Sequence, residues 1–249
     1  MVRFILFILV LASIVLTVTY ITLTGKNAQP QATFPSVNVA EGGNAGARQL
    51  DGYSSSKFTV DVVSWWEPRV YLLPSFIPST EREKLKQAGI ALLTGNPVQD
   101  WGGVMSTTPG KQWPPFALLH LQTSCFENVE EVIHMPLNHA DTVRVVRLTK
   151  DLKIPTHSDA IVGDDPDGRR AGQRVTTAIW CFQGTTVMGL PALGKSVRCH
   201  DGDVIIIHNT FADVKPDPNA IYTLVPLNAE SLVGVQYYRQ ESVRAFGRF

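Results

Sequence analysis

The feature of this sequence that most constrains its fold is a series of short runs rich in β-branched and apolar residues in the second half of the chain. Turn residues separate these runs, a pattern typical of antiparallel strands in a sandwich or barrel. The predicted strands are Val143–Leu148, Val175–Phe182, Ser196–Cys199, Val204–His208, Ala220–Leu227 and Leu232–Tyr238.

Two helices are predicted ahead of these strands. Thr80 and Glu83 have the spacing of a capping box, and the helix that they begin would end at Gly89. A second helix is predicted over Glu127–His134, and Pro136 closes it. Helices that precede a series of strands indicate an α+β fold, with the strands forming a sandwich or barrel in the C-terminal half.

The N-terminal residues have the composition of a membrane segment. Twenty consecutive residues, Phe4–Leu23, carry no charge, and about 20 helical residues span a bilayer core. Residues 1–25 are therefore predicted to be an uncleaved transmembrane signal anchor. A cleaved signal peptide is the alternative, although its apolar region usually has only about 7–15 residues. Arg3 before the apolar run places the rest of the chain outside the cytoplasm, which predicts a single-pass protein of the endoplasmic reticulum or Golgi with a lumenal domain.

The remaining sequence divides into a linker and one domain. Residues 26–57 are rich in Gly, Ala, Ser, Asn and Pro without an apolar period, as in a flexible linker. Residues 58–249 show no break in composition and predict one folded domain. The chain has 22 basic and 22 acidic residues, so it has no overall basic field for a nucleic-acid backbone. Nucleic acid is therefore excluded as a predicted partner.

Three cysteines allow at most one disulfide. Cys181 and Cys199 lie in predicted neighbouring strands, where they could pair in an oxidising lumen. Their Cα separation cannot be read from the sequence, and we interpret them as buried thiols.

A His-x-Asp motif offers two metal ligands. In a strand, His157 and Asp159 would lie on one face because they are two residues apart. With a second, distant histidine, such a pair forms the facial triad of non-haem Fe(II) oxygenases. A second copy exists at His139 and Asp141. Taken alone, either copy fits a solvated pair in a loop better than a metal site.

The surrounding motifs separate the two copies. His157 and Asp159 precede RVTTAIWCF, GKSVRCHDGDVIIIHN and DPNAIYTLVPL, and they follow SWWEPR and FIPSTEREKLKQAG. In this order the motifs resemble the catalytic domain of prolyl 4-hydroxylases, which belong to the Fe(II)/2-oxoglutarate dioxygenases; SWWEPR is similar to the first strand of that domain. The resemblance covers about residues 60–240. It implies a double-stranded β-helix, or jelly roll, with flanking N-terminal helices, the cofactors Fe(II), 2-oxoglutarate and ascorbate, and a proline-containing polypeptide substrate.

The resemblance assigns roles to individual residues. His157 and Asp159 match the first two iron ligands, and Tyr222 stands where the third ligand, a histidine, is expected. Arg174 matches an arginine that the family places near the substrate. Gly202 matches a turn close to the site, or is simply a tight turn.

Several positions depart from the family. Tyr222 could bind iron only as a phenolate. Where a lysine should meet the far carboxylate of 2-oxoglutarate the chain has Ser231 and Leu232, and the first cation downstream is Arg239. Arg239 is the predicted cosubstrate residue because it can pair bidentately with a carboxylate, or it is a surface arginine.

Two further positions leave the site incomplete. Ile154 replaces a tyrosine that the family places in the cosubstrate pocket. His208 could serve as a substitute iron ligand, or it is a polar residue at the end of a strand.

Two functions follow from these observations. The first is an Fe(II)/2-oxoglutarate-dependent dioxygenase that hydroxylates a peptidyl residue, with proline as the expected target. The alternative is a catalytically inactive subunit that keeps the same fold for polypeptide binding or assembly, since fold alone does not determine function.

Overall fold

A computed structural model describes residues 58–101, 105–106, 112–121, 123–163 and 172–241. The predicted membrane segment 1–25 and linker 26–57 lie outside these residues. Among the described residues, no helix combines the length and the apolar character that spanning a membrane requires.

The described residues form two α-helices, α1 (Ser79–Gly95) and α2 (Ser124–Ile133), and twelve β-strands. The strands are β1 (Asp61–Ser64), β2 (Val70–Leu73), β3 (Met105–Ser106), β4 (Phe116–Leu119), β5 (Val143–Thr149), β6 (Ile154–Ser158), β7 (Arg174–Gln183), β8 (Thr186–Leu190), β9 (Lys195–Cys199), β10 (Val204–His208), β11 (Tyr222–Pro226) and β12 (Glu230–Arg239).

These strands build two antiparallel sheets. The larger has seven strands in the order β1-β2-β10-β7-β12-β5-β4, and the smaller has five in the order β3-β6-β11-β8-β9. Strands β5 to β12 divide four and four between the sheets, as in a jelly roll. The sequence predicts an α+β fold with a jelly roll; the described residues are mostly β-sheet, and their resemblance to a jelly roll confirms that part of the prediction.

Alternation along the strands separates two cores. In β10, Ile205 and Ile207 pack into the space between the two sheets, whereas Val204 and Ile206 pack with the helices on the outer face of the larger sheet. The larger sheet is thus covered on both faces, and its strands are nearly continuous apolar runs for that reason. The interior between the sheets is where the predicted site residues must be sought.

Helix α1 differs from its prediction at both ends. It begins at Ser79 after Pro78, without a side-chain cap, and the Glu83 carboxylate accepts hydrogen bonds from Lys86 and Gln87. The capping box is therefore wrong. The helix also continues through Gly89, where an added Cβ would lie 2.7 Å from Cγ1 of Val145. This glycine allows α1 to approach β5 closely; it does not end the helix.

Helix α2 is held at its start by a side chain of α1. The Glu81 carboxylate accepts hydrogen bonds from Oγ of Ser124 at 2.6 Å and from the backbone N–H of Cys125 at 3.2 Å. The hydrogen bond from Ser124 is the main cause of the lowered pKa of Glu81. Because an acidic group at a helix N-terminus satisfies free N–H groups, α2 begins three residues before the predicted Glu127.

Two further expectations fail. Cys181 and Cys199 form a disulfide between β7 and β9, so their interpretation as buried thiols is wrong. The two strands belong to different sheets that face each other across the interior. The two Cα atoms are therefore 6.1 Å apart, within the range that a disulfide bridges. Ser64 is the last residue of β1 and residues 65–69 connect it to β2, so the segment SWWEPR is mostly a connection and not the predicted strand.

Candidate functional site

A β-bulge turns His157 towards the interior. Tyr222 is opposite His157 and Leu224 is opposite Ile154, so three steps along β6 match two steps along β11. Without the extra residue, Ile154 and His157 would point to opposite faces of the sheet. The bulge places both inside, and only 1% of His157 is exposed.

A second bulge acts on Arg174 in the same way. Tyr238 is opposite Thr176 and Arg239 is opposite Arg174, so Val175 is the extra residue. The bulge brings Arg174 to the interior face that Thr177 already occupies. The guanidinium carbon of Arg174 lies 4.4 Å from the ring centroid of Tyr237, which belongs to the interior core.

The structure brings His157 and Asp159 together in this interior. Nε2 of His157 lies 3.2 Å from Oδ1 of Asp159, and Asp159 is fully buried. The two atoms are close, but Oδ1 has no hydrogen-bond partner among the described residues. Leaving a buried carboxylate oxygen without a hydrogen bond is costly, so Oδ1, whose near neighbour is the imidazole of His157, has the chemistry of a metal ligand.

The other oxygen of Asp159 is fully satisfied. Oδ2 accepts a hydrogen bond of 2.5 Å from the hydroxyl of Tyr222 and one of 2.7 Å from the hydroxyl of Thr177. Burial opposes ionisation of Asp159, but the close contact with a charged His157, followed by the hydrogen bonds from Tyr222 and Thr177, outweighs burial and lowers the pKa to about 2. The group is therefore a carboxylate at neutral pH.

The imidazole of His157 is oriented by its own bulge. Nδ1 lies 2.8 Å from the carbonyl oxygen of Pro155, and a carbonyl only accepts, so Nδ1 carries a hydrogen. A hydrogen bond from the far ring nitrogen to a carbonyl is the arrangement that metal-binding histidines use. Nε2 is thereby the nitrogen that faces Asp159, and a metal ion bound there would replace the hydrogen that Nε2 carries when the imidazole is charged.

Aromatic rings surround the pair. Trp113 lies edge-on to His157 with ring centroids 4.8 Å apart, and Tyr222 packs on the same imidazole at 4.4 Å. Burial, followed by the negative charge of Asp159, raises the pKa of Tyr222 well above its ordinary value. The phenol therefore keeps its proton in the metal-free site.

Positive charge lies beside this cluster. The guanidinium carbon of Arg144 is 4.7 Å from the ring centroid of Tyr237, the ring that Arg174 also contacts. Arg144 donates a hydrogen bond to the carbonyl of Trp101. Arg174 and Arg144 thus share the ring of Tyr237, and Tyr237 and Tyr222 belong to the same interior core.

The predicted cosubstrate residue Arg239 lies elsewhere. Its guanidinium donates from Nε and Nη2 to the carboxylate of Asp141 at 2.9–3.1 Å. Ser231 is buried and its hydroxyl accepts a hydrogen bond from Thr186, while Leu232 belongs to the outer core. A carboxylate could therefore reach Arg239 only by displacing Asp141.

His208 does not join the pair. It follows the interior residue Ile207 in β10, so alternation puts it on the outer face with Ile206. There its Nδ1 lies 3.1 Å from the hydroxyl of Thr176 and its ring contacts Tyr71 edge-on. Its position fits the interpretation as a strand-end residue better than a role as substitute ligand.

Two atoms, Nε2 of His157 and Oδ1 of Asp159, are placed so that both could bind one divalent metal ion. Adjacent ligands of an octahedral ion, with bonds of about 2.0–2.2 Å, lie about 3 Å apart, which matches the 3.2 Å between Nε2 of His157 and Oδ1 of Asp159. Within the described part of the chain, no group of three or more His, Cys, Asp or Glu residues could hold a metal ion. The fit therefore rests on this pair, with Tyr222 beside it.

Sequence reasoning missed the residues that support the pair. Thr177 and Asn209 form a hydrogen-bonded chain to Asp159, with 2.8 Å between Nδ2 of Asn209 and Oγ1 of Thr177. The sequence also does not indicate that Asp141 pairs with Arg239, that Trp113 contacts His157 or that Tyr237 contacts Arg174. Alternation within the predicted strand Val175–Phe182 could have placed Thr177 on the interior face; for Asn209, after the end of β10, the sequence gives no signal.

Comparison with known proteins gives matches among solved structures. No family model matches the sequence, and no curated protein matches it. A viral collagen prolyl hydroxylase from Paramecium Bursaria Chlorella virus-1, in complex with 2OG, matches 68% of this chain and 94% of its own with 16% identity and a TM-score of 0.49. A Pseudomonas putida prolyl-4-hydroxylase matches 69% of this chain and 92% of its own with 10% identity and a TM-score of 0.43.

A prolyl hydroxylase from Trichoplax adhaerens, in complex with a hypoxia inducible factor peptide fragment, matches 72% of this chain and 87% of its own, with 12% identity and a TM-score of 0.46. These three structures are named as prolyl hydroxylases, and a further match, from Burkholderia pseudomallei, is named as a 2OG-Fe(II) oxygenase. The resemblance predicted from the sequence is thus confirmed among solved structures. Because the TM-scores are below 0.5, the function below rests on the residues of the site.

Proposed function

We propose that the domain is an Fe(II)/2-oxoglutarate-dependent dioxygenase whose iron is held by His157 and Asp159. One observation carries the proposal: two buried donor atoms face each other at 3.2 Å, and one of them, Oδ1 of Asp159, has no hydrogen bond among the described residues. A metal ion between them would take the place of a proton, as ligand deprotonation on metal binding requires.

The surrounding residues suit this chemistry. When bound, Fe(II) and 2-oxoglutarate activate oxygen and hydroxylate a C–H bond of the substrate. Trp113 and Tyr222 pack their rings against the imidazole of His157 and hold its orientation. Arg174 and Arg144, which flank the Tyr237 ring, supply positive charge to which a carboxylate of 2-oxoglutarate can bind.

The finer assignment follows the sequence resemblance. We propose a proline-containing polypeptide as substrate, with Arg174 near it, and ascorbate as the reductant that maintains Fe(II). The predicted anchor at residues 1–25 would hold the domain in the lumen of the endoplasmic reticulum or Golgi. The Cys181–Cys199 disulfide supports an oxidising compartment, where such bonds form and persist.

A second function is favoured by a different observation. At the position where the cosubstrate lysine is expected, the hydroxyl of Ser231 accepts a hydrogen bond from Thr186, and the first cation downstream, Arg239, is paired with Asp141. A domain that keeps the jelly roll but does not bind 2-oxoglutarate would serve as a polypeptide-binding or assembly subunit. The two functions differ in whether the interior binds metal and cosubstrate.

Anaerobic titration of the purified full chain with Fe(II), with and without 2-oxoglutarate, separates them. The dioxygenase predicts saturable Fe(II) binding and a weak visible absorption band when 2-oxoglutarate chelates the metal. His157→Ala should abolish both signals. His139→Ala, which alters the other His-x-Asp motif, is the matched control and should leave them unchanged.

Two outcomes would count against the enzyme. Absence of Fe(II) binding at millimolar metal would remove the metal site altogether. Binding of Fe(II) without any response to millimolar 2-oxoglutarate would leave a metal-binding domain and favour the non-catalytic subunit.

A further inference from the structure

We propose that Tyr222 is a positioning residue and not a ligand, so that a metal at this site has two protein ligands and one extra coordination position open to a water molecule. Tyr222 and Thr177 together fix which oxygen of Asp159 is presented. This inference rests on the proposed function, because it concerns the same metal site.

The two oxygens of Asp159 have separate partners. Oδ1 faces Nε2 of His157, whereas Oδ2 receives the hydroxyls of Tyr222 and Thr177. A carboxylate with two hydrogen bonds on one oxygen can bind a metal only through the other oxygen. The Tyr222 hydroxyl therefore acts on the far side of the carboxylate from His157, and its one hydrogen is already used there.

The second hydroxyl is held in the same orientation by Asn209. Nδ2 of Asn209 donates to Oγ1 of Thr177 at 2.8 Å and to the carbonyl of Arg174 at 3.3 Å. Since Thr177 has one hydroxyl hydrogen and accepts from Asn209, that hydrogen is free to point at Asp159. The three residues Asn209, Thr177 and Asp159 form one directed chain, fully buried or nearly so.

The strand register explains why Tyr222 reaches Oδ2. Tyr222 is directly opposite His157 in the β6 and β11 pair, and the two rings are in tilted contact with their centroids 4.4 Å apart. The phenol is longer than an imidazole, so its hydroxyl extends past the His157 ring to the carboxylate. A histidine at 222 would end sooner, where it could face a metal bound by Nε2 of His157 and Oδ1 of Asp159.

Substitutions at position 222 test the number of ligands directly. Mn(II) binding to the full chain is measured together with water proton relaxation, which counts the exchangeable waters on the metal. Tyr222→Phe should weaken Mn(II) binding by about 10-fold, the scale of losing one outer hydrogen bond, without changing the water count. Tyr222→His should tighten binding and remove one water. A purely structural role for Tyr222 would not produce that gain.

A tyrosine ligand gives a different signature. A phenolate bound to Fe(III) absorbs strongly in the visible, so the oxidised iron form of the wild-type chain should lack such a band. A band that disappears in Tyr222→Phe would overturn the inference while leaving the metal site intact. Failure of the wild-type chain to bind either metal would instead overturn the proposed function, and this inference with it.

Discussion

The chain contains the His-x-Asp motif twice, at His139 and Asp141 and at His157 and Asp159, and the carboxylates of the two copies have different partners. In the first, the Asp141 carboxylate accepts hydrogen bonds from Nε and Nη2 of Arg239, and Nδ1 of His139 lies 3.0 Å from the Arg239 carbonyl. In the second, Oδ1 of Asp159 faces His157 without a hydrogen bond. The carboxylate of the first copy is fully hydrogen-bonded by Arg239, whereas Oδ1 of the second has a close contact with His157 but no hydrogen bond among the described residues.

The difference arises from what each copy is attached to. His139 ends a short 3-10 turn, Leu137–His139, and Ala140 forms a bridge with Tyr238, so this copy fastens the end of β12. The second copy is carried into the interior by the bulge in β6. The proposed metal site is therefore the copy whose carboxylate the fold leaves incompletely hydrogen-bonded in a buried position.

The largest expected effect is a difference in Fe(II) affinity between variants of the two motif copies. Asp159→Asn removes the ligand oxygen charge and should weaken Fe(II) binding by more than about 100-fold, beyond what outer-shell changes cost. Asp141→Asn should leave the affinity within about twofold, because Asp141 is bonded to Arg239. Isothermal titration of both variants under anaerobic conditions measures this. Equal losses in the two variants would show that the motifs are not functionally distinct.

The free energy of unfolding should show the opposite order, with the larger loss at Asp141 and the smaller loss at Asp159. The Asp141 and Arg239 side chains are 15% and 4% exposed, and breaking a buried pair by removing one partner costs about 3–5 kcal/mol. We expect Asp141→Ala to lower the free energy of unfolding by about 3 kcal/mol, measured in urea. Asp159→Asn should cost less, because one of its oxygens makes no hydrogen bond.

The double variant Asp141→Ala with Arg239→Met is the control for this pair. Removing both charges relieves the burial cost of the remaining guanidinium, so the double variant should be more stable than Asp141→Ala alone. A double variant as unstable as the sum of its single changes would mean that the ion pair does not act as a unit.

The sequence predicted the strands whose composition is locally consistent and missed those set by tertiary pairing. All six predicted β-runs are strands in the structure. Strand β6, with the sequence IPTHS, has a proline and no alternation, and it exists because β3 and β11 pair with it. Gly89 suggested a helix end because the sequence does not show that β5 packs against it.

The site was predictable only in part, for a similar reason. Spacing identified His157 and Asp159, and the order of motifs singled them out over His139 and Asp141. The contact between Asp141 and Arg239 joins residues 98 positions apart, and the bulge at Val175 that redirects Arg174 has no local signature. Which acceptor remains unpaired is decided by such long-range contacts.

A third prediction uses two neighbouring threonines on opposite faces of β7. Thr177→Val removes the hydroxyl that donates to Asp159 and should weaken Fe(II) binding by about 10-fold. Thr176→Val, whose hydroxyl contacts His208, is the matched control and should leave metal binding unchanged. If Thr176→Val weakened binding as much as Thr177→Val, the effect would come from strand β7 itself and not from the orientation of Asp159.

The smallest expected effect is a pH dependence of stability that arises from His208. It determines the pH range in which variants of the two motifs can be compared. Burial, followed by the positive charge of Arg69, lowers the pKa of His208 to about 4, whereas an unfolded chain has a histidine pKa near 6.5. Between these values the unfolded state binds a proton that the folded state does not, so stability falls as pH falls. From pH 7 to 5.5 the loss should be about 1 kcal/mol, and His208→Gln should remove that slope in urea unfolding. If the free energy of unfolding of His208→Gln still fell with pH as in the wild type, a group other than His208 would be responsible. The stabilities of the Asp141 and Asp159 variants below pH 6.5 would then have to be corrected for that other group.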